Sequence, residues 1–309
     1  MKRINAQHAL RISGRFFFRC CRYALLITMS FVVLYPLLYM ISNAFKPYLQ
    51  TYDPAVIWIP KSLTLENVLD AVEILDLKTA LVNSLTTAVG TSLIQVAVCL
   101  LVGYGFARFN FRLRPLLFML VLLTMIVPQQ TISTSLYTTY RYFGIFHFRV
   151  SLIDTNGVFW LPALLGMGLR SGLYIFVYRQ FFQGMPRELE EAAEIDGCNP
   201  VSTFLRVMLP NAGTVVVTVL LFALVWNWND YYTPAMFMKN HLTMATALAS
   251  FQSNLQNLSA IGGNYTDVAL ITTRVQAACL LCVLPLLLLY LFMQKYFVES
   301  VERTGLTGF

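Results

Sequence analysis

The chain has 309 residues, of which 57% are hydrophobic and only 12% are charged. A soluble domain usually carries about twice that charged fraction. The apolar residues are gathered in runs close to the roughly 20 residues that cross a hydrocarbon core. Composition therefore predicts a polytopic membrane protein, and we interpret the net charge of +7 as membrane topology and contact with anionic lipid, not as nucleic-acid binding.

Six apolar runs predict six transmembrane helices, at about 23–44, 81–107, 115–138, 155–180, 211–236 and 270–294. A helix satisfies every backbone polar group within lipid. Barrel strands would instead alternate polar and apolar residues, and runs such as VTVLLFALVW do not. The predicted fold class is therefore all-α.

Four regions are expected along the chain: a basic tail at 1–22, a first transmembrane helix with an outer loop at 23–76, a transmembrane domain at 77–295, and a C-terminal tail at 296–309. Lys and Arg set the predicted orientation, because they are enriched in cytoplasmic loops. One side of the predicted topology holds fourteen of them and the other holds six. Both termini are therefore predicted to be cytoplasmic.

Several kinds of chemistry are missing from the sequence. It has no G-x-x-x-x-G-K-[ST] phosphate loop. The three histidines, His8, His147 and His241, are far apart, so neither a metal site nor a histidine-based catalytic group is expected. No Asp or Glu falls in the middle of a predicted span, which argues against a proton-coupled secondary transporter.

Uncharged polar groups do interrupt the predicted spans. Pro128-Gln129-Gln130 breaks the third, and Trp226-Asn227-Trp228-Asn229-Asp230 closes the fifth; Arg170 and Arg274 also lie at or near membrane depth. Such groups can satisfy one another between helices, or they can line a path for a polar solute. Candidate path residues are Gln129, Gln130, Arg170, Asn227, Trp228 and Asn229. Trp and Asn suit a sugar, because an aromatic face stacks on C–H surface and an amide bonds hydroxyl groups.

A short acidic helix is predicted within ELEEAAEIDGCNP, residues 188–200. Pro186 suits a first turn, and Glu188, Glu190 and Glu191 favour the positive end of a helix. Leu189, Ala192, Ala193 and Ile195 can form a narrow apolar strip, and Gly197 is a natural stop in the left-handed conformation. A solvated acidic loop is the plainer interpretation of a charge run.

This stretch is part of a longer pattern. Glu191-Ala192-Ala193, then Gly197, then Val207-Met208-Leu209-Pro210 resembles the EAA loop of importer-type ABC permeases, with Val207 where that family has Ile. Further similar segments are Pro36 with Lys46, Asn83-Ser84, Gly103 to Phe109, Trp228 to Tyr231 and Gln294 to Val298. The last two resemble the maltose-permease-like branch for sugar uptake.

The resemblance implies a type I (MetI-like) permease fold, with an ABC transmembrane type-1 domain at 77–295 and its EAA loop at about 184–210. The positions it implies for coupling to an ATPase are Glu190, Glu191, Ala192, Ala193, Asp196, Gly197, Leu209 and Pro210. Asp196 has an alternative role, which is to cap its own turn.

The resemblance also implies a non-enzymatic subunit of the bacterial cytoplasmic membrane that carries a sugar or oligosaccharide. Its partners would be a second homologous permease, an ABC ATPase dimer and an extracytoplasmic solute-binding protein. The chain itself would bind no cofactor, since the ATPase would use ATP and Mg²⁺. The alternatives are a permease for another polar solute, such as glycerol phosphate, and a secondary carrier.

Overall fold

A computed structural model describes residues 2–145, 148–260 and 267–306, with side chains described over 18–144, 149–258 and 267–295. The ends of the two predicted tails, Met1 and 307–309, lie outside the described residues. The first helices are α1 (Lys2–Ala44), α2 (Glu66–Ile74), α3 (Leu77–Arg108), α4 (Arg114–Ile126) and α5 (Gln129–Arg141), with a 3-10 turn at Tyr48–Tyr52.

A two-stranded antiparallel hairpin follows, β1 (Phe143–Ile145) and β2 (Phe148–Val150), with Phe143 opposite Val150. The remaining helices are α6 (Gly157–Leu164), α7 (Ser171–Gly184), α8 (Glu188–Ile195), α9 (Pro200–Thr203), a π-helix (Phe204–Met208), α10 (Leu209–Asn211), α11 (Gly213–Trp228), α12 (Tyr232–Phe237), α13 (Met244–Ala260) and α14 (Val268–Leu306). The all-α prediction is confirmed.

The described residues contain three helices long and apolar enough to cross a membrane: Phe18–Ala44, Leu77–Arg108 and Val268–Lys295. Two more spans result if each of two bent helix pairs counts as one. These pairs are Arg114–Ile126 with Gln129–Arg141, bent by 102°, and Pro200–Asn211 with Gly213–Trp228, bent by 75°. The prediction of six spans is therefore not confirmed.

The predicted fourth span, 155–180, is divided into α6 and α7. The residues between them include two with positive φ, Gly166 at 71° and Arg170 at 62°. A helix cannot continue through that conformation. The predicted span at 155–180 is therefore not among the candidate spans of the described residues, and its composition did not show the break.

Pro128 explains the sharpest bend, between α4 and α5. A proline disfavours helical backbone at the residue before it, and Val127 is extended, with ψ of 116°. Pro128 then precedes α5 as its N-cap. The predicted interruption of the third span at this proline is confirmed.

The basic tail continues directly into the first span, because α1 runs unbroken from Lys2 to Ala44. The predicted basic tail at 1–22 therefore forms the first part of this helix from Lys2 onward. Pro36 lies inside the helix and does not end it.

The described residues pack as two compact units. The first comprises Met1–Ile74 and Gln252–Leu281. In it the loop after α1 folds back on the end of that helix: Lys46 Nζ donates to the carbonyl oxygens of Val56 at 3.0 Å and Ile57 at 3.1 Å, and Asn67 Nδ2 donates to Lys46 O at 2.8 Å. Burial lowers the pKa of the Lys46 ammonium group.

The second unit comprises Leu75–Phe251 and Cys282–Phe309. Its centre is α3, which packs against α6, α7 and α11. Tyr174, Tyr178 and Phe182 of α7 lie in the core beside α3. A Cβ atom at Gly103 would lie 2.5 Å from Tyr178 Cβ, so the close approach of these two helices requires a glycine there. This packing brings the end of α3 next to the chain that leads to α8.

Candidate functional site

The loop between α7 and α11 carries the predicted coupling residues. Its first element, α8, has Glu188, Glu190 and Glu191 in its first turn, where carboxylates complement the helix dipole. Gly197 follows with φ of 82°, and its N–H donates to Glu194 O at 3.0 Å. The predicted helix and its left-handed glycine stop are confirmed, and the solvated acidic loop is not what forms.

A second, kinked helical segment returns the chain to α11. Asn199 Oδ1 accepts from Ser202 N–H at 2.8 Å and so caps α9. The chain then passes through the π-helix Phe204–Met208, and the two predicted coupling residues Leu209 and Pro210 follow it. Pro210 has no N–H, so it cannot donate a backbone hydrogen bond to the preceding helical turn. π-Bulges and kinks occur where the regular hydrogen bonding of a helix is interrupted in this way.

The inner face of α8 is fixed to the end of α3 by Glu190. Its Oε1 accepts from the Tyr104 hydroxyl at 2.9 Å, and its Oε2 lies 3.3 Å from Arg108 Nε. The guanidinium of Arg108 also donates to Met185 O at 2.9 Å. Because the side chains of Arg108 and Glu190 are only 6% and 18% exposed, this is a largely desolvated contact. Ala193 is also buried on this side.

The outer face of α8 is exposed. Glu191, Ala192, Asp196 and Gly197 are all exposed, and so are the larger apolar side chains Leu189, Ile195, Val201 and Leu205. The predicted apolar strip is therefore divided: Ala193 packs inward and its other members face outward. The loop presents carboxylates beside apolar side chains on one surface, which can both pair with cations and bury apolar area in a partner.

Tyr104 and Arg108 were noticed in the sequence only as part of a family-like segment, and their contact with Glu190 was missed. The available signal was their spacing of four residues, which places both on one face of α3 near its end. Glu190 is one of the predicted coupling residues, and its carboxylate bonds Tyr104 and Arg108 of the same chain.

Asn227, a candidate path residue, lies in a buried polar cluster between α3 and α11. Its Nδ2 donates to Gln95 Oε1 at 2.8 Å and to Ser92 Oγ at 3.1 Å. Gln95 Nε2 in turn donates to Leu169 O at 2.7 Å and to Ser171 Oγ at 3.0 Å. Gln95 therefore supplies a hydrogen-bond donor to the Leu169 carbonyl in the break between α6 and α7. Nonhelical backbone at membrane depth needs such partners, because lipid offers none.

Three other candidate path residues have contacts outside this cluster. Trp228 is buried, and its Nε1 donates to Cys282 O at 3.2 Å. Asn229 is exposed and bonds Val225 O of its own helix. The Arg170 guanidinium lies 4.3 Å over the Trp226 ring.

Gln129 and Gln130 begin α5, after Pro128. Within the described ranges, no hydrogen bond joins either glutamine to Asn227. Asn227 and Trp228, in contrast, both form hydrogen bonds between helices.

Arg274, the other arginine noted at membrane depth, is neutralised within the first unit. Its Nε donates to Asp70 Oδ2 at 2.5 Å, and an Nη lies 3.4 Å from Glu66 Oε1. The Arg274 side chain is 4% exposed. This arginine holds α14 to α2.

Three comparisons place these features among known proteins. The model of the family described as "Binding-protein-dependent transport system inner membrane component" matches residues 99–303. The arabinooligosaccharides transport system permease protein AraQ of Halalkalibacterium halodurans is 26% identical, over 90% of this chain and 93% of the relative. The sn-glycerol-3-phosphate transport system permease protein UgpE of Pectobacterium atrosepticum is 30% identical, over 72% of this chain and 71% of the relative.

A solved structure has the same fold. It is a chain of a bacterial ABC transporter involved in the import of the acidic polysaccharide alginate, with a TM-score of 0.72 and 19% sequence identity, covering 91% of this chain and 96% of that one. Among the residues described, no group of three or more His, Cys, Asp or Glu side chains is arranged to hold a metal ion.

Proposed function

The chain belongs to the family of inner membrane components of binding-protein-dependent transport systems, and on that premise we propose that it couples an ATPase to solute uptake through the outer face of α8. It is a multi-pass membrane permease of the ABC transporter class. The observation that carries the coupling proposal is the two-sided arrangement of α8. Glu190 fixes the inner face to α3, while Glu191, Ala192, Asp196 and Gly197 are exposed.

The partner at this face is an ATPase subunit, which binds and hydrolyses ATP with Mg²⁺. Its docking surface would need apolar area for Leu189 and Ile195 and a cation for Glu191. The chain would act with a second homologous permease and with an extracytoplasmic solute-binding protein. Leu209 and Pro210 then carry movement of α8 into α11, since the intervening segment is helical from Pro200 onward.

The distribution of Lys and Arg supports an orientation with both termini in the cytoplasm. Arg179, Arg187 and Arg206 flank α8 in the sequence, which supports the same side for the coupling face. The region outside would include the loop between α1 and α3 and the hairpin of β1 and β2.

The solute that we propose is a sugar or an oligosaccharide. Support comes from the similarity to AraQ, an arabinooligosaccharides transport system permease, and from the amide groups near the helix breaks. Because Asn227 and Trp228 already bond within the chain, we now assign them a supporting role. Gln129, Gln130, Arg170 and Asn229 remain the candidate contacts with the solute.

A phosphorylated polyol such as glycerol phosphate is the second candidate. The identity of 30% with UgpE favours it. However, Arg274 is paired with Asp70 and Glu66, which leaves it little attraction for a phosphate. Arg170 is the other arginine that such a solute would need.

The test is uptake by the complex purified through a tag on this chain and reconstituted into liposomes with its solute-binding protein. We expect uptake of a labelled oligosaccharide to require ATP, and excess glycerol phosphate to leave it unchanged. Competition by glycerol phosphate would favour the second candidate. Uptake that continues without ATP, while a proton gradient is intact, would instead indicate a secondary carrier.

A further inference from the structure

A groove between the first residues of α4 and the last turns of α7 has no assigned role. It has a volume of about 480 Å³, and its lining residues are Arg114, Pro115, Phe118, Met119, Leu122 and Arg179. All six belong to the second compact unit. Two arginines therefore lie in one groove whose other lining residues are all apolar.

Among the described residues, neither arginine has a counter-charge. Arg114 donates to neutral acceptors, Asn110 Oδ1 at 2.9 Å and Ala107 O at 3.3 Å. The Arg179 guanidinium lies 4.0 Å over the Phe118 ring, and its buried Nε has no hydrogen-bond partner among the described residues. No carboxylate in the described part of the chain forms an ion pair with either. Two uncompensated cations beside the positive end of α4 attract an anion.

The apolar part of the groove indicates what kind of anion. Phe118, Met119 and Leu122 follow Arg114 along α4, so the apolar wall extends about 12 Å from Arg114 to Leu122. Met119 is 51% exposed, and the neighbouring Leu116 and Leu120 are also exposed. An anion with a long apolar chain matches this polarity, whereas a small hydrophilic anion would leave the apolar wall uncovered.

We propose that this groove binds an anionic phospholipid, with its phosphate on Arg114 and Arg179 and an acyl chain along Phe118, Met119 and Leu122. The proposal rests on the membrane orientation given above, which places α4's first residues at the cytoplasmic headgroup level. Basic pockets between transmembrane helices on that side commonly hold such headgroups.

The bound lipid would also support the coupling segment. Arg179 lies a few residues before the end of α7, which is at Gly184. Met185 comes next, and its carbonyl is held by Arg108. A lipid that holds Arg179 against α4 would therefore also hold α7, the helix that leads into α8.

The test is native mass spectrometry of the purified complex after incubation with phosphatidylglycerol or with phosphatidylcholine. We expect the wild-type complex to retain phosphatidylglycerol and not phosphatidylcholine. Arg114→Gln and Arg179→Gln should each reduce retention roughly fivefold, in line with the attraction of one basic residue to an anionic membrane. Arg112→Gln is the matched control, because Arg112 is exposed and does not line the groove.

Equal retention of the two lipids by the wild-type complex would overturn the proposal without any variant. Equal losses in the Arg112 control and in the groove variants would also overturn it, since general surface charge would then be responsible. Displacement of the lipid by millimolar inorganic phosphate would reveal a small-anion site instead. Because lipid retention is measured directly, failure of this proposal is distinguishable from failure of ATP-dependent uptake.

Discussion

Replacing Glu190 with alanine should detach α8 from α3 while leaving its outer face chemically unchanged. The substitution removes the acceptor of the Tyr104 hydroxyl and the partner of Arg108. Arg108 keeps its bond to Met185 O. The change therefore separates anchoring of the helix from contact with an ATPase.

The magnitude follows from the two contacts. A hydrogen bond to a charged group contributes about 1.5–3 kcal/mol. Removing one partner of a fully buried ion pair costs about 3–5 kcal/mol, but Glu190 is 18% exposed and Arg108 retains another acceptor. We therefore expect a loss of about 3 kcal/mol in docking of α8, or roughly a hundredfold in its local opening equilibrium.

Hydrogen exchange in the reconstituted complex measures this opening directly. Amides of α8 should lose up to about a hundredfold of protection in Glu190→Ala, in keeping with local opening. Glu190→Gln should lose less, because its amide oxygen still accepts from Tyr104. We also expect less solute taken up per ATP hydrolysed, since a detached α8 would move without moving α11.

Glu188→Ala provides the matched control. Glu188 also lies in the first turn of α8, so its removal costs the same dipole interaction, but it is exposed. If Glu190→Ala and Glu188→Ala leave the same protection in α8, the contact with Tyr104 and Arg108 does not anchor this helix, and the reasoning above is wrong.

Three further predictions concern the turn at Gly197, the Arg274 ion pair and the hydrogen bond between Gln95 and Asn227. Gly197→Asn should retain uptake, because Asn tolerates positive φ and no atom lies within 4 Å of a Cβ built there. Gly197→Pro should abolish uptake while immunoblotting shows an unchanged amount of the protein in the membrane. Normal uptake by the proline variant would contradict the role of this turn. Arg274→Gln should lower the free energy of unfolding in detergent by about 3 kcal/mol, and adding Asp70→Asn should recover part of it; additive losses would count against the ion pair. Gln95→Leu should cost about 1–3 kcal/mol, with a smaller further loss on adding Asn227→Leu, so strict additivity in that cycle would contradict the shared bond.

Features set by local sequence were predicted well. The all-α class follows from the length of the apolar runs, and α8 follows from acidic residues in its first turn and from Gly197 after its end. The bend at Pro128 was also visible, because a proline acts on its immediate neighbours. These signals do not depend on the rest of the fold.

Features set by distant contacts were not predicted. Gln95 and Asn227 are 132 residues apart, and Tyr104 and Glu190 are 86 residues apart, so no local pattern relates them. The division of 155–180 was missed for a related reason. Its unwound segment is tolerated because Gln95 satisfies the Leu169 carbonyl, and that support comes from another helix.

The bend between Pro200–Asn211 and Gly213–Trp228 determines what kind of displacement can reach α11. At 75°, only about a quarter of a push along the first segment projects onto the axis of the second. The remainder acts sideways, as a torque about the joint at Ala212. A pull on α8 would therefore tilt α11 rather than slide it, and probes at the far end of α11 should record a change of angle with little change of depth in the membrane.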